Sequence, residues 1–163
     1  MTWTRARRYA LMLPVLTVVA GGVAVPSAHA DNHRLNESVF VNIYTAQHQN
    51  GCTTDPKVDG RLVEAARVHT LDVLNNPDIN GDIGSDGSTP QDRANAAGFV
   101  GKATETVATN PAVAISGIEI LAQWWWDPPS RAMMQDCANT AIGVWSENSL
   151  NRSVVVAMYG QPG

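Results

Sequence analysis

Apolar residues recur at intervals of three and four along the first half of the chain, a spacing typical of amphipathic helices. One predicted helix has Asn36 as its cap and ends at Gly51, with an apolar side formed by Val39, Phe40, Ile43 and Tyr44. A second predicted helix runs from about Asp59 to Asn75, and its apolar stripe consists of Leu62, Ala66, His69 and Val73. The first part of the chain is therefore predicted to be helical.

Two further helices are predicted where proline stands at a first helical position. A loop rich in Gly, Asp and Asn runs from Pro77 to Gly87. Thr89-Pro90 then provides a cap and a first helical residue, and Gly98 is predicted to end this helix. Asn110-Pro111 begins another predicted helix. The apolar surface that would bury this helix is formed by Val113, Ile115, Ile118 and Leu121.

Strand signals are concentrated near the C-terminus. Two apolar, β-branched runs, residues 141–145 and 153–159, are separated by the polar turn Glu147–Arg152. This arrangement predicts an antiparallel pair. Helices followed by paired strands indicate an α+β domain in which the helices pack on a sheet.

The N-terminus has the pattern of a secretory signal. Three arginines within the first eight residues precede an apolar run from Tyr9 to Val25, which is followed by the small-residue ending Ala28-His29-Ala30. An uncleaved membrane anchor is the alternative, although the run is short for a span of about 20 residues. We predict a signal peptide over residues 1–30, cleaved after Ala30, and one domain over residues 31–163 of a secreted or cell-envelope protein.

Charge restricts the classes of partner. The chain has a formal net charge of −4, and the predicted signal contains three of the eleven basic residues and none of the fifteen acidic ones. Residues 31–163 therefore carry −7, which argues against nucleic acid and anionic headgroups as bulk partners. These residues contain no further apolar stretch long enough to cross a bilayer.

The chain has two cysteines, Cys52 and Cys137. In an exported protein an even count of two predicts one disulfide, and a reactive thiol is the alternative. Because the two positions are 85 residues apart, the bridge would stabilise the fold by about 4 to 5 kcal/mol in the chain-entropy model.

Five groups of motifs follow one another between residues 36 and 161. They are Leu62–Val73 with its central His69, Gly84–Pro90 followed by Asp92-Arg93 and Ala97–Phe99, Glu105–Ala108, Trp124–Arg131, and Ile142–Val144 with Tyr159-Gly160. Together they resemble the bacterial branch of the CAP superfamily (cysteine-rich secretory proteins, antigen 5 and pathogenesis-related 1). The resemblance implies a three-layer α-β-α sandwich.

The resemblance also implies a cleft where two His and two Glu converge, and which binds a divalent metal in some members. The acid of the family's Glu-Asn-Ile-Ala motif is retained as Glu105. Asp82 and Ser130 stand where the family has histidines, and Asp127 stands near a position where related members have an acid. The resemblance therefore implies a degenerate version of the family site.

The candidate metal ligands Asp82, Glu105 and Asp127 offer only oxygen, which favours calcium or magnesium over zinc. Asp78, Asn80 and Asp82 also alternate as in a calcium loop, although the match fails at later positions of the loop. The alternative is that these are hydrogen-bonded structural residues in an inactive site, with Glu105 as the one candidate for catalysis.

Two other features are candidates for a cleft. His69 is either a core imidazole or a cleft residue oriented by the acid three positions later. The run Trp124, Trp125 and Trp126 spans about 200° of helical arc, so the three indoles cannot all face one core. At least one of the indoles should be exposed or line a groove. The alternative for two of the three is burial against the sheet or against the following Pro-Pro turn.

Three functions remain open at this point. The preferred one is a noncatalytic binding module that takes a lipid, a sterol-like molecule, a peptide or a partner protein at an aromatic-lined cleft. The second is a metal-dependent hydrolase with Glu105 as general base. The third is a structural or antigenic envelope protein without a small-molecule site.

Overall fold

The computed structural model describes the backbone of residues 29–163 and the side chains from Asn32 onwards. Residues 1–28 of the signal predicted over residues 1–30 lie outside the described residues. The elements in chain order are α1 (His29–Gln49), β1 (Lys57–Val58), α2 (Gly60–Asn75), α3 (Pro90–Ala96), β2 (Gly101–Asn110), α4 (Gly117–Trp126), α5 (Pro128–Gln135), β3 (Ala141–Asn148) and β4 (Ser153–Pro162). None of the helices in this part of the chain is long and apolar enough to cross a membrane.

The strands form one sheet in the order β1-β3-β4-β2. The predicted antiparallel pair is confirmed, because β3 pairs with β4 from Ala141 opposite Gly160 to Asn148 opposite Ser153. β2 pairs antiparallel with the other edge of β4, and the two-residue β1 pairs parallel with β3. β4 is therefore an interior strand, as its continuous apolar run indicates.

Side chains of β4 alternate between two cores, one on each face of the sheet. Val155, Ala157 and Tyr159 face α1, α4 and α5. The intervening Val154, Val156 and Met158 face α2 and α3. Because each sheet face is covered by its own helical layer, the predicted α+β class and the three-layer α-β-α sandwich are confirmed.

Local signals position the helix starts. Asp59 caps α2, where its side chain accepts from the Arg61 amide. Thr89 caps α3, and its side chain and that of Asp92 form a reciprocal capping box. Pro90 is the first helical residue, where its missing amide hydrogen costs nothing. The predicted boundaries of these two helices are therefore correct to within about two residues.

Three predictions of secondary structure are wrong, and one strand was not predicted. The first helix, predicted with Asn36 as its cap, begins at His29 and contains Asn36 in its interior. Residues 101–110, for which no element was predicted, form β2, which pairs along its whole length with β4. The helix predicted from Asn110-Pro111 begins only at Gly117, because Ser116 and Glu119 form a capping box there. The segment after the tryptophans, predicted as a Pro-Pro turn, is the short helix α5, with Asp127 as its cap.

The predicted disulfide joins Cys52 to Cys137. Cys52 follows α1 and Cys137 follows α5, so the bridge ties together two helices of the same layer. Among the described residues there is no free cysteine, and the alternative of a reactive thiol does not apply.

Candidate functional site

Glu105 lies in the middle of β2, on the sheet face that α2 and α3 cover. Its neighbour Thr106 points to the opposite face, where its hydroxyl lies 3.0 Å from that of Tyr159. The Glu105 side chain is fully buried, and its Oε1 accepts a hydrogen bond of 2.7 Å from Arg93 Nη2. Oε2 is buried and has no hydrogen-bond partner among the described residues.

His69 approaches the same carboxylate from α2. Its ring is fully buried, and Nε2 lies 3.2 Å from Glu105 Oε1 and 2.9 Å from the carbonyl oxygen of Gly81. A proton on Nε2 can therefore be shared between two acceptors. Nδ1 lies 3.9 Å from the Asp72 carboxylate, beyond hydrogen-bond distance. His69, Arg93 and Glu105 are called the buried cluster below.

Arg93 connects the buried cluster to the loop that precedes α3. Its Nη1 donates to the carbonyl and hydroxyl oxygens of Ser88 at 2.7 and 3.1 Å, and its Nη2 also donates to the Asp82 carbonyl at 2.7 Å. The guanidinium thus donates hydrogen bonds to both the loop and Glu105, because its planar group carries several N–H donors that point in different directions.

Burial dominates the electrostatics of the cluster. It raises the pKa of Glu105 from 4.5 to about 8, against the lowering effect of the Arg93 charge. Burial also lowers the pKa of His69 below its ordinary 6.5, although the hydrogen bond to the Gly81 carbonyl opposes this. Both shifts have the same cause, since a low-dielectric interior disfavours the charged form of each group.

The residues present do not fit the metal site that the family resemblance implies. Within residues 32–163, no three His, Cys, Asp or Glu side chains are grouped to hold an ion. A cation on Oε1 of Glu105 would also face the Arg93 guanidinium, which already occupies that oxygen. The residues from Asp78 to Asp86, whose spacing is like that of a calcium loop, form no such group either. The Asp86 carboxylate instead accepts a hydrogen bond from the Ser88 amide.

The structure separates the predicted site residues into three places. Asp82 joins the buried cluster through its backbone carbonyl, and its carboxylate is near enough to favour the protonated forms of Glu105 and His69. Asp127 and Ser130 lie in the opposite helical layer, at the start of α5, where Asp127 Oδ2 accepts from the Ser130 amide and hydroxyl. The tryptophans form the third group.

The three indoles point in different directions, as their helical arc predicts. Trp124 is 2% exposed and belongs to the core beneath α4. Trp125 is half-buried, and Trp126 is 79% exposed. Only Trp125 and Trp126 are therefore available to a ligand.

A groove of about 330 Å³ opens beside these two indoles. It is lined by Gln49 of α1 and by Ile118, Leu121, Ala122, Trp125 and Trp126 of α4, and is called the tryptophan groove below. Ile118 is 83% exposed. The Arg131 guanidinium lies 5.8 Å from the centre of the Trp125 ring, as in a cation–π contact.

A second apolar groove, of about 440 Å³, lies between α1 and β3. Its apolar lining comes from Phe40, Val58, Val63, Val144 and Trp145, with His33, Asn36 and Glu37 along one side. It is called the α1–β3 groove below. None of the candidate site residues predicted from sequence lines it.

Arg93 was not among the predicted site residues, and Ile118 was predicted on a buried face. Arg93 follows Asp92 in the motif that begins α3, but nothing in the local sequence indicates that its partner is Glu105, 12 positions later. For Ile118, the pattern Ser116-x-x-Glu119 predicts a capping box. That start rotates the helix so that Ile120 and Trp124 face the core instead.

No protein-family model matches the chain, and no curated protein matches it in sequence. Solved structures do match. An outer surface protein of Borrelia burgdorferi has a TM-score of 0.66 at 16% identity, with 78% of this chain and 92% of that chain covered.

Two further matches cover less than half of the other protein. An extracellular SCP-domain protein of Bacillus anthracis has a TM-score of 0.63 at 13% identity, over 85% of this chain and 45% of that one. A cysteine-rich secretory protein of Staphylococcus aureus has a TM-score of 0.58 at 8% identity, over 80% and 39%. The chain therefore has the fold of the CAP superfamily.

Proposed function

We propose that this chain is an exported, noncatalytic binding protein that takes an apolar group in the tryptophan groove. The observation that carries the proposal is the exposure of two large apolar side chains, Ile118 at 83% and Trp126 at 79%, beside that groove. Scattered apolar residues are normal on a protein surface, whereas a contiguous group around a concavity is typical of a binding site.

The composition of the groove supports an apolar ligand. Five of its six lining residues are apolar, and Gln49 provides one polar group that can orient a ligand. Its volume of about 330 Å³ lies at the small end of the range for small-molecule sites, roughly 300 to 1,000 Å³. It therefore suits a single chain or ring better than a large cofactor.

The raised pKa of Glu105 is the observation that favours the second candidate, a metal-dependent hydrolase, because perturbed pKa values are frequent at active sites. Access argues against it. The side chains of His69 and Glu105 have no exposed surface, and Arg93 bonds the oxygen that a general base would use. The buried cluster is better explained as a structural element.

Export is supported by three independent features. The N-terminal sequence has the pattern of a secretory signal, with predicted cleavage after Ala30. The Cys52–Cys137 disulfide is typical of an oxidising compartment. The similar solved structures include proteins described as extracellular and as an outer surface protein.

The proposed function is tested by titrating the exported, disulfide-bonded protein with 1-decanol and following tryptophan fluorescence. We expect a saturable change from Trp125 and Trp126. Ile118→Ser should raise the Kd about tenfold or more, because burying an Ile contributes roughly 1.5 to 3 kcal/mol. Leu150→Ser is the matched control, since Leu150 is at least as exposed as Ile118 but lies in the β3–β4 turn.

Two results would contradict the proposal. An unsaturable signal in the unmodified protein would remove the binding function and leave a structural or antigenic envelope role. Saturable binding that survives Ile118→Ser but is lost in Val58→Ser would place the ligand in the α1–β3 groove.

A further inference from the structure

Helix α4 has two apolar stripes, of which one lies in the core and the other is only partly covered, since Leu121 and Trp125 pack against the core while Ile118 and Trp126 are exposed. Ile120 and Trp124 face the core. Ile118, Leu121, Ala122, Trp125 and Trp126 fall within about 140° of arc on the other side, at 100° per residue. We call these five residues the outer stripe. A surface helix normally presents one apolar stripe to the core and polar residues to solvent, so the exposed Ile118 and Trp126 of a second apolar stripe lack a covering layer.

The charges around the outer stripe are few and mostly occupied. Of the described residues that line the tryptophan groove, none is a carboxylate. Glu119 bonds Ser116 and Asn110 on the side of α4 that faces β2, and the adjoining Asp127 bonds Ser130. Arg131, stacked near Trp125, is the cation beside the stripe. In an exported chain whose residues 31–163 carry −7, the lining of the groove is therefore uncharged, and among the described residues Arg131 adds one positive group beside it.

The size of the outer stripe argues against a stable protein partner. A helix of ten residues is about 15 Å long and 10 to 12 Å wide, so its face covers roughly 150 to 180 Å². A stable protein interface needs about 800 Å² from each partner. A lipid surface has no such requirement, because a few side chains can enter it singly.

We propose that the outer stripe docks at the interface of a phospholipid bilayer, an inference that rests on the proposed binding function and names its partner. Ile118 and Trp126 enter the glycerol and upper acyl region, and Trp125 lies at headgroup depth. Indoles suit this depth because one end is apolar and the other donates a hydrogen bond. Arg131 pairs with a lipid phosphate, a charge-assisted contact.

The acidic net charge adds a requirement on headgroups. Long-range repulsion from anionic lipid opposes the single attraction at Arg131. Binding should therefore be at least as strong to zwitterionic phosphatidylcholine vesicles as to vesicles that contain phosphatidylglycerol, at low ionic strength. A polybasic membrane protein would show the reverse order.

The experiment is co-flotation of the exported, oxidised protein with phosphatidylcholine vesicles, with tryptophan emission as a second readout. We expect flotation and a blue shift. Ile118→Ser and Trp126→Ser should each lower the partition coefficient about tenfold, and Arg131→Gln should lower it severalfold. Leu150→Ser, outside the stripe, should leave it unchanged.

The outcomes separate this inference from the proposed function. If vesicles fail to bind while the 1-decanol titration still saturates, the membrane proposal is wrong and the binding function stands. If both fail, both are wrong. A concentration-dependent dimer in sedimentation velocity that Ile118→Ser converts to monomer would assign the stripe to a second copy and overturn the bilayer proposal. Stronger binding to phosphatidylglycerol would also contradict it.

Discussion

At the scale of single residues, the buried cluster is an energetic risk that Arg93 offsets. Removing a carboxylate or a guanidinium from water costs several kcal/mol per ion, and the mutual attraction compensates only when the remaining donors are satisfied. Arg93 meets this condition in part, with bonds to Glu105, Ser88 and the Asp82 carbonyl. The cluster therefore joins α2, α3, β2 and the intervening loop.

The raised pKa of Glu105 makes stability depend on pH. The unfolded carboxyl has a pKa near 4.5, and the folded one titrates at about 8. Folding therefore stabilises the protonated form, a contribution that is complete below pH 4.5 and is lost as the pH rises to about 8. The lowered pKa of His69 changes the free energy of unfolding mainly below pH 6.5. Between pH 6.5 and 8 the change therefore comes mainly from Glu105.

We expect the free energy of unfolding to fall between pH 6.5 and 8 by up to about 2 kcal/mol more in the unmodified protein than in Glu105→Gln. Urea unfolding across this interval measures it. Glu64→Gln is the control, since that exposed carboxyl bonds Arg67 and its pKa is lowered, below the interval. Parallel curves for the unmodified protein and Glu105→Gln would contradict the raised pKa.

At the scale of elements, the contact between α2 and β3 depends on a glycine in the strand. A Cβ at Gly143 would overlap the carbonyl carbon of Leu62 and the amide nitrogen of Val63. These are backbone atoms of α2, so no side-chain rotation can relieve the clash. The close approach of helix to sheet is therefore possible only because residue 143 has no side chain.

We expect Gly143→Ala to lower the free energy of unfolding by about 2 to 3 kcal/mol, because α2 must move away from the sheet. Denaturant unfolding at fixed pH measures the change. Gly60→Ala at the start of α2 is the matched control, since nothing lies within 4 Å of its added Cβ. That variant should be neutral or up to about 1 kcal/mol more stable. Equal effects of the two changes would show that backbone proximity is not the cause.

At the scale of the whole molecule, one helical layer is held together covalently and the other is not. The disulfide links the residues after α1 and α5, both in the layer that also contains α4. The layer of α2 and α3 depends on the core and on the buried cluster instead. The layer that presents the outer stripe is therefore the cross-linked one.

We expect the double variant Cys52→Ala/Cys137→Ala to lose about 4 to 5 kcal/mol of unfolding free energy, the chain-entropy value for a separation of 85 residues. Thermal and urea unfolding measure it. A reductant should destabilise the unmodified protein and leave the double variant unchanged. A double variant as stable as the oxidised protein would contradict this contribution.

The elements that the sequence predicted correctly are those with local physical causes. Thr89 and Pro90 begin α3 through a cap and a preset dihedral angle. The continuous apolar run of β4 indicates burial on both faces. β2 was not predicted because polar residues, Thr104, Glu105 and Thr106, stand in its middle and hide a strand pattern. Only the pairing with β4 stabilises this segment as a strand.

The sequence by itself determined the pairing of its two cysteines, the start of α2, the cap of α3 and the requirement that three consecutive indoles diverge, and it contains the pattern of a secretory signal. These follow from composition, local hydrogen bonding and helical geometry, which depend on near neighbours. Tertiary structure decided which acids meet. Glu105 meets Arg93 and His69, while Asp127 lies in the opposite layer, because strand alternation and layer assignment depend on contacts distant in sequence. It also decided that Ile118 and Trp126 of the outer stripe stay exposed, since only the packed layers show which surfaces remain without a partner.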